Sequence, residues 1–275
     1  MTTTILQIII LGLVQGAAEL LPVSSSAHVI VAEKLMGLDP ASPEMTFLLV
    51  MLHTGTMAAV MVYFWKQWQK SYFSSRAMML ATAKNVVAAT VATLVVGEAL
   101  KVMIEKVFMH GQAKAEIEQL FSNLPLIAGA LAAAGVLIVV AGLKRRGGDG
   151  RGDITLGTAL RGFSRSGATI STGLLLGTMK ARAEEFSFAL AVVLTPPAIV
   201  MELHRLAKVH PEVAHAGDML QLAKPGLLGM GCSFVAGLLA LRMLSRVLEA
   251  GRWHYFGYYC LAAAGVVAGL ALSGF

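Results

Sequence analysis

Two short polar runs interrupt an otherwise apolar chain, and their residue types could do chemistry. The first reads Gln15-Gly-Ala-Ala-Glu19-Leu-Leu-Pro22-Val-Ser24-Ser25-Ser26-Ala-His28. Gln15 and Glu19 are four apart, so on a helix they share one face. Pro22 ends that helix, because its ring clashes with the preceding turn and it has no N–H. The hydroxyls of Ser24, Ser25 and Ser26 suit the start of a second helix, where they satisfy orphan N–H groups. His28 follows Ser25 by one turn. A carboxylate, hydroxyls and an imidazole therefore converge at one break, as nucleophilic and acid–base catalysis requires. Taken singly, each residue has a bland explanation: serines pack membrane helices and a lone Glu snorkels. As a cluster they are expensive in apolar surroundings, which makes them functional candidates.

The second run reads Arg161-Gly162-Phe163-Ser164-Arg165-Ser166-Gly167-Ala168-Thr169. Gly162 and Gly167 permit tight backbone. Ser164 or Ser166 can cap a helix running towards Thr178, which places Arg165 at a helix N-terminus. Exposed N–H groups, the positive end of the dipole and a guanidinium together make an anion site. Arg also binds phosphate oxygens bidentately. Other polar positions carry less. His53 reads as a satisfied histidine within a helix bundle, Glu98 and Lys101 as interfacial charges, and Glu184 and Glu185 as residues just before a span. Pro196-Pro197 should kink or break the fourth span. No nucleotide-binding fingerprint or Cys/His zinc spacing is present.

These runs need elements to hold them, and composition says where. Of 275 residues, 56% are hydrophobic and 14% are charged, and the mean hydropathy is +0.71. A soluble domain carries about 25% charged residues, so a soluble enzyme or a disordered regulator is excluded in favour of a polytopic helical membrane protein. Cys232 and Cys260 both lie in apolar runs, which argues against a disulfide framework. The net charge of +6 fits basic cytoplasmic loops rather than nucleic-acid binding. No basic region precedes the first apolar run, so no cleavable signal peptide is expected.

Six stretches have the length and polarity of membrane spans: 46–65, 78–101, 122–142, 186–203, 225–241 and 254–274. The two apolar regions that carry the polar runs, 5–37 and 154–179, are each broken in the middle. Broken backbone at membrane depth must be buried in protein or line a wet cavity. Both regions read as re-entrant helical hairpins with tips near the bilayer midplane. The expected fold is all-α: six transmembrane helices plus two re-entrant hairpins in an inverted repeat, 1–142 and 154–275, within one membrane domain. Residues 143–153 (LKRRGGDGRGD) form the linker. Basic residues such as Lys66, Lys70, Arg76 and Lys144–Arg146 crowd the loops of one side, which the positive-inside rule makes cytoplasmic. The mouth of the first hairpin then opens outward.

The two motifs, in this order, resemble the undecaprenyl-diphosphate phosphatase family, the bacitracin-resistance type of integral membrane enzyme. That family has a Glu or Gln, three residues, a Glu, then Pro-Val-Ser-Ser and a His. Here these are Gln15, Glu19, Pro22-Val23-Ser24-Ser25 and His28. Its second motif, Pro-Gly-x-Ser-Arg-Ser-x-x-Thr, is matched by Gly162, Ser164, Arg165, Ser166 and Thr169. Glu185-Phe186-Ser187-Phe188 and the span ending Tyr63-Phe64-Trp65 are also similar to the family. Arg161 replaces the motif's leading Pro, the stretch before Gly162 is shorter than the family pattern, and Gln15 removes one carboxylate from a metal site.

The resemblance implies hydrolysis of a C55 isoprenoid diphosphate to the monophosphate, which recycles a lipid carrier for cell-wall synthesis, in the bacterial inner membrane and with the active site open to the periplasmic side. It implies that Arg165, with Gly162, Ser164, Ser166 and Thr169, holds the diphosphate and stabilises charge on the transferred group. Ser25 is the candidate nucleophile, with His28 as base and then acid; direct attack by His28 is the alternative. Glu19 would bind a divalent cation, Mg2+ or Ca2+, or orient His28; Gln15 would contact the substrate or the ion, and Ser24 and Ser26 the substrate. The expected partners are the isoprenoid diphosphate and membrane lipid; a homodimer stays open. The competing class is a flippase or anion transporter built on the same inverted repeat.

Overall fold

A computed structural model describes residues 3–23, 25–40, 42–108, 124–144, 166–209 and 216–272. Among them every regular element is helical: α1 (Ile5–Leu20), α2 (Ser25–Leu35), α3 (Pro43–Ser71), α4 (Arg76–Phe108), α5 (Leu124–Lys144), α6 (Ser166–Leu175), α7 (Lys180–Val209), α8 (Ala216–Glu249) and α9 (His254–Leu272). Six segments are long and apolar enough to cross a membrane: Pro43–Ser71, Arg76–Val95, Ile127–Lys144, Lys180–His204, Ala223–Glu249 and His254–Leu272. They coincide with the six stretches expected from sequence. The protein is thus an all-helical, multi-pass membrane protein. Linker residues 145–153 and the first arm expected for the second hairpin lie outside the described residues.

Local chemistry sets the first helix pair. Thr4 and Gln7 form a reciprocal capping box: Gln7 N–H donates to Thr4 Oγ1 at 3.3 Å, and Thr4 N–H donates to Gln7 Oε1 at 2.8 Å. At the other end Leu21 is extended (φ −86°, ψ 152°), because a residue before proline is pushed out of the helical region. Val23 N–H turns back to Leu21 O at 2.8 Å, which folds the tip tightly around Pro22 before α2 begins at Ser25. Gly37, at φ +70°, closes α2: its N–H reaches Lys34 O and Leu38 N–H reaches Glu33 O. The Gln7 amide donates to Met36 O at 3.3 Å and ties the two arms together at their open end. Ser42 caps α3 through Met45 N–H, with Pro43 at the first helical position.

The chain divides into two compact units, Met1–Lys70 with Phe188–Arg246, and Ser71–Ser187 with Val247–Phe275. The first unit contains α1, α2, α3 and most of α8. Its contacts are built on glycine. A Cβ on Gly16 of α1 would lie 2.6 Å from Ser233 O and from Ala236 Cβ of α8, and one on Gly12 would lie 2.6 Å from Cys232 Cβ. A Cβ on Gly55 of α3 would run into Ser233 Oγ and Met230 O. Close approach through small residues is how helices gain dispersion contact where lipid supplies no hydrophobic drive. Ser233 is fully buried, and its Oγ lies 2.9 Å from Leu52 O of α3 and 3.0 Å from Met230 O of its own helix.

In the second unit α5 packs against both α6 and α9. A Cβ on Gly257 of α9 would lie 2.7 Å from Gly135 O of α5. The buried Trp253 indole donates to Ser171 Oγ at 2.9 Å and fastens α6 to the start of α9. Gly177, at φ +90°, closes α6 as Gly37 closes α2.

Two expectations are corrected. Glu184 and Glu185 do not precede the fourth span; they sit buried within α7. Arg182 neutralises Glu185 through Nη1 to Oε2 at 2.7 Å, and Ser71 Oγ donates to the same oxygen at 3.3 Å, so one carboxylate can be tolerated there. Nor do Pro196 and Pro197 break α7, which runs from Lys180 to Val209. Spanning helices can carry proline without ending; in the turn before the pair, Thr195 Oγ1 also donates to Ala191 O at 2.7 Å.

Two outcomes follow for stability. Gly16→Ala should destabilise the protein by about 1–3 kcal/mol through overpacking against α8, read as a lower Tm in detergent. Gly129→Ala, where nothing lies within 4 Å of the added Cβ, should leave Tm unchanged or raised. Glu33, outside the six spans, is 4% exposed; burial, then the Asp39 charge, pushes its carboxyl up to about 7. A raised acid pKa gives stability that is present at low pH and is lost as pH climbs towards 7. Glu33→Gln should therefore raise Tm at pH 8 and give no comparable gain at pH 5.

Candidate active site

The break between α1 and α2 lies where three polar side chains meet one carboxylate oxygen, that of Glu19. Gln15 and Glu19 project from the last turns of α1, and the Gln15 amide donates to Glu19 Oε2 at 3.2 Å. Ser25, the first residue of α2, donates its hydroxyl to the same oxygen in a short hydrogen bond. From α3, His53 Nε2 stands 3.6 Å from Glu19 Oε2. The tight turn at Pro22 is what lets the start of α2 come back onto the end of α1. All four residues belong to the first compact unit.

The surroundings are dry but not sealed. Gln15 is fully buried, while the Glu19 and His53 side chains are 10% and 22% exposed. Ser25 and His28 are half-buried. A Ser hydroxyl held by a carboxylate in such a place is poised to lose its proton as it attacks an electrophile. The proton has a recipient within hydrogen-bond reach, which is the geometric requirement for a general base. Ser25 is thus bonded to Glu19, and His28 stands one helical turn further along α2.

Gln15 Oε1 is a buried carbonyl oxygen with no hydrogen-bond partner among the described residues. Buried acceptors of this kind cost about 1–3 kcal/mol unless something meets them. A hard cation suits such an oxygen next to a carboxylate. Among the described residues no group of three or more His, Cys, Asp or Glu side chains could by itself hold a metal. Gln15 and Glu19 fit a divalent ion only as a partial set, completed by water and by the oxygens of a bound diphosphate.

The remaining residues expected at the site are placed as follows. Ser24, Gly162, Ser164 and Arg165 lie outside the described residues, as do the side chains of Ser26 and Ser166. The helix expected after Arg165 begins at Ser166, and Thr169 is buried in it, 6% exposed. His53 is the residue whose place beside Glu19 the sequence did not show. It is a satisfied bundle histidine at one edge, with Nδ1 2.8 Å from Leu49 O, but its other edge faces Glu19. Nothing in the local sequence signals this, since 34 residues separate the two and only the packing of α3 in the unit joins them.

Residues 8–267 match the family described as "Bacitracin resistance protein BacA". A protein of Acinetobacter baylyi named "Undecaprenyl-diphosphatase 2" is 54% identical, over 97% of this chain and 98% of its own. A protein of Desulfosudis oleivorans named "Undecaprenyl-diphosphatase" is 34% identical, over 95% of this chain and 96% of its own. One of the same name from Renibacterium salmoninarum is 31% identical, over 95% and 94%. The match runs through both motif-bearing regions and nearly the whole chain, and the protein belongs to the BacA bacitracin-resistance family.

Proposed function

We propose that this protein hydrolyses undecaprenyl diphosphate to the lipid monophosphate and inorganic phosphate, and so recycles the carrier for cell-wall synthesis and confers bacitracin resistance. The observation that carries the reading is the Ser25 hydroxyl donated to Glu19, in a chain whose full-length relatives are named for this reaction. A flippase or anion carrier would need an anion site but not a hydroxyl set against a base.

In the proposed mechanism Ser25 Oγ attacks the terminal phosphorus while its proton passes to Glu19. The bond from that phosphorus to the bridging oxygen breaks, and the lipid monophosphate leaves. The phosphoserine is then opened by water, which gives a proton to His28; the Ser25 oxygen regains its proton from Glu19 and inorganic phosphate departs. Gln15 anchors Glu19 through its amide. A divalent cation, Mg2+ or Ca2+, held by Gln15 Oε1 and Glu19 would supply neutralisation of diphosphate charge. To the run Gly162, Ser164, Arg165, Ser166 and Thr169 we assign binding of the phosphate oxygens, supported by the motif's chemistry and by the helix that starts at Ser166. Ser24 and Ser26 complete the substrate contacts. The inverted repeat with re-entrant hairpins, the location in a bacterial inner membrane and an active site open to the outer face are parts of the same proposal, supported by the broken helix pair and the bias of basic loops.

The test is phosphate release from a C55 or C15 isoprenoid diphosphate by the detergent-purified protein, with and without divalent cation. Release should depend on the cation and should be abolished in Arg165→Ala; a folded, lipid-binding protein that releases none would return the reading to a transporter. Glu19→Gln should lower kcat by about 100- to 10,000-fold. Ser25→Ala should abolish a phosphoenzyme trapped with labelled substrate. Full activity in Ser25→Ala, beside loss in His28→Ala, would instead identify His28 as the attacking group.

A further inference from the structure

We infer that His53 is a positioning residue for the phosphatase site, one that orients Glu19 towards Ser25. The inference rests on the phosphatase reading above and adds a residue that neither motif contains.

The two ring nitrogens of His53 have different jobs. Nδ1 lies 2.8 Å from Leu49 O, one turn back on α3. A carbonyl oxygen can only accept, so Nδ1 carries the hydrogen. That bond fixes the ring plane and aims Nε2 at Glu19 Oε2, 3.6 Å away. The separation is longer than a hydrogen bond and within ion-pair reach. With Nδ1 committed as donor, Nε2 meets Oε2 favourably when a proton lies between them. The oxygen it faces is the one that accepts from Ser25 and from Gln15. Of these partners, Gln15 shares a helix with Glu19 and Ser25 is the group that reacts. His53 contributes a contact from α3, a helix that carries neither Glu19 nor Ser25, and α3 is itself held at this level by Ser233 Oγ on Leu52 O. When Ser25 gives up its hydrogen bond during attack, His53 and Gln15 still face Oε2.

Placement of this kind acts on kcat rather than on substrate binding, and a displacement of about 1 Å near reacting atoms costs on the order of 100-fold. Three variants separate positioning from mere packing. Gln at position 53 carries an amide hydrogen where Nε2 was and can still reach Glu19. Asn mimics the Nδ1 edge, can bond Leu49 O, and stops short of Glu19. Leu keeps volume and loses both contacts. With wild type measured beside them, His53→Asn and His53→Leu should lose about tenfold to 100-fold in kcat with KM within about twofold. His53→Gln should stay within about threefold of wild type.

A folded His53→Gln as slow as His53→Leu overturns the inference, as does His53→Leu at the wild-type rate. Size exclusion and thermal unfolding certify each variant. If Asn and Leu fail to fold, the His53→Gln rate alone still decides. A readout independent of turnover is the Glu19 carboxylate band, identified by infrared difference against Glu19→Gln. It should shift in His53→Leu and hold in His53→Gln, and an unshifted band in His53→Leu overturns the inference. No phosphate release from wild type would sink the phosphatase reading instead, and the infrared result would still judge the contact.

Discussion

Ser233 of α8 ties α8 to α3 through its hydroxyl, at a level where α3 and α1 approach through glycine. Its hydroxyl is out of solvent and within reach of Leu52 O on α3 and Met230 O on α8. Gly55 and Gly16 leave the space that α3 and α1 need to approach it. Lipid gives helices no hydrophobic reason to associate, so dispersion over such close contacts and a few interhelical hydrogen bonds must supply the attraction. The junction lies beside the chemistry. Gly16 is next to Gln15, and Leu52 is next to His53. The spacing of the carboxylate helix and the histidine helix is therefore a consequence of packing around one buried serine.

Glu19 shows what that spacing allows. A carboxylate removed from water is tolerated only when its oxygens are met by donors. One oxygen here is met from α1, from α2 and from α3. The same donors that make the charge tolerable also hold it against the Ser25 hydroxyl, so under the proposed mechanism stabilisation and catalysis would use the same contacts. Gln15 extends the logic, because its amide hydrogen serves Glu19 while its oxygen stays buried with no hydrogen-bond partner among the described residues.

The second unit solves a similar problem with different means. Glu185 is buried in α7 and is compensated by Arg182, whose guanidinium also lies over the Tyr72 ring, 5.5 Å from its centroid. Trp253 and Ser171 satisfy each other out of solvent. The Trp253–Ser171 bond holds α6, the helix that follows the run around Arg165, against the start of α9.

Much of this was legible in the chain itself. Hydropathy alone located six spans, because a bilayer imposes a length and a polarity that few other folds share. Pro22 announced the break between α1 and α2, and the i, i+4 spacing of Gln15 and Glu19 announced a shared face, because both depend on backbone geometry within a few residues. The motifs around Ser25 and Arg165 announced phosphate chemistry by residue type. Tertiary structure decided what acts at a distance. Glu184 and Glu185 read as residues before a span, since nothing nearby shows that Arg182 and Ser71 would meet Glu185. Pro196-Pro197 read as a kink or a break, and the helix runs on through them. That His53 faces Glu19, and that Ser25 gives its hydrogen to Glu19, depended on how α3 and α2 pack onto α1. Local sequence encodes turns, caps and faces through short-range sterics, whereas the partner of a buried charge is set by which helices can approach, and glycines far apart in the chain settle that together.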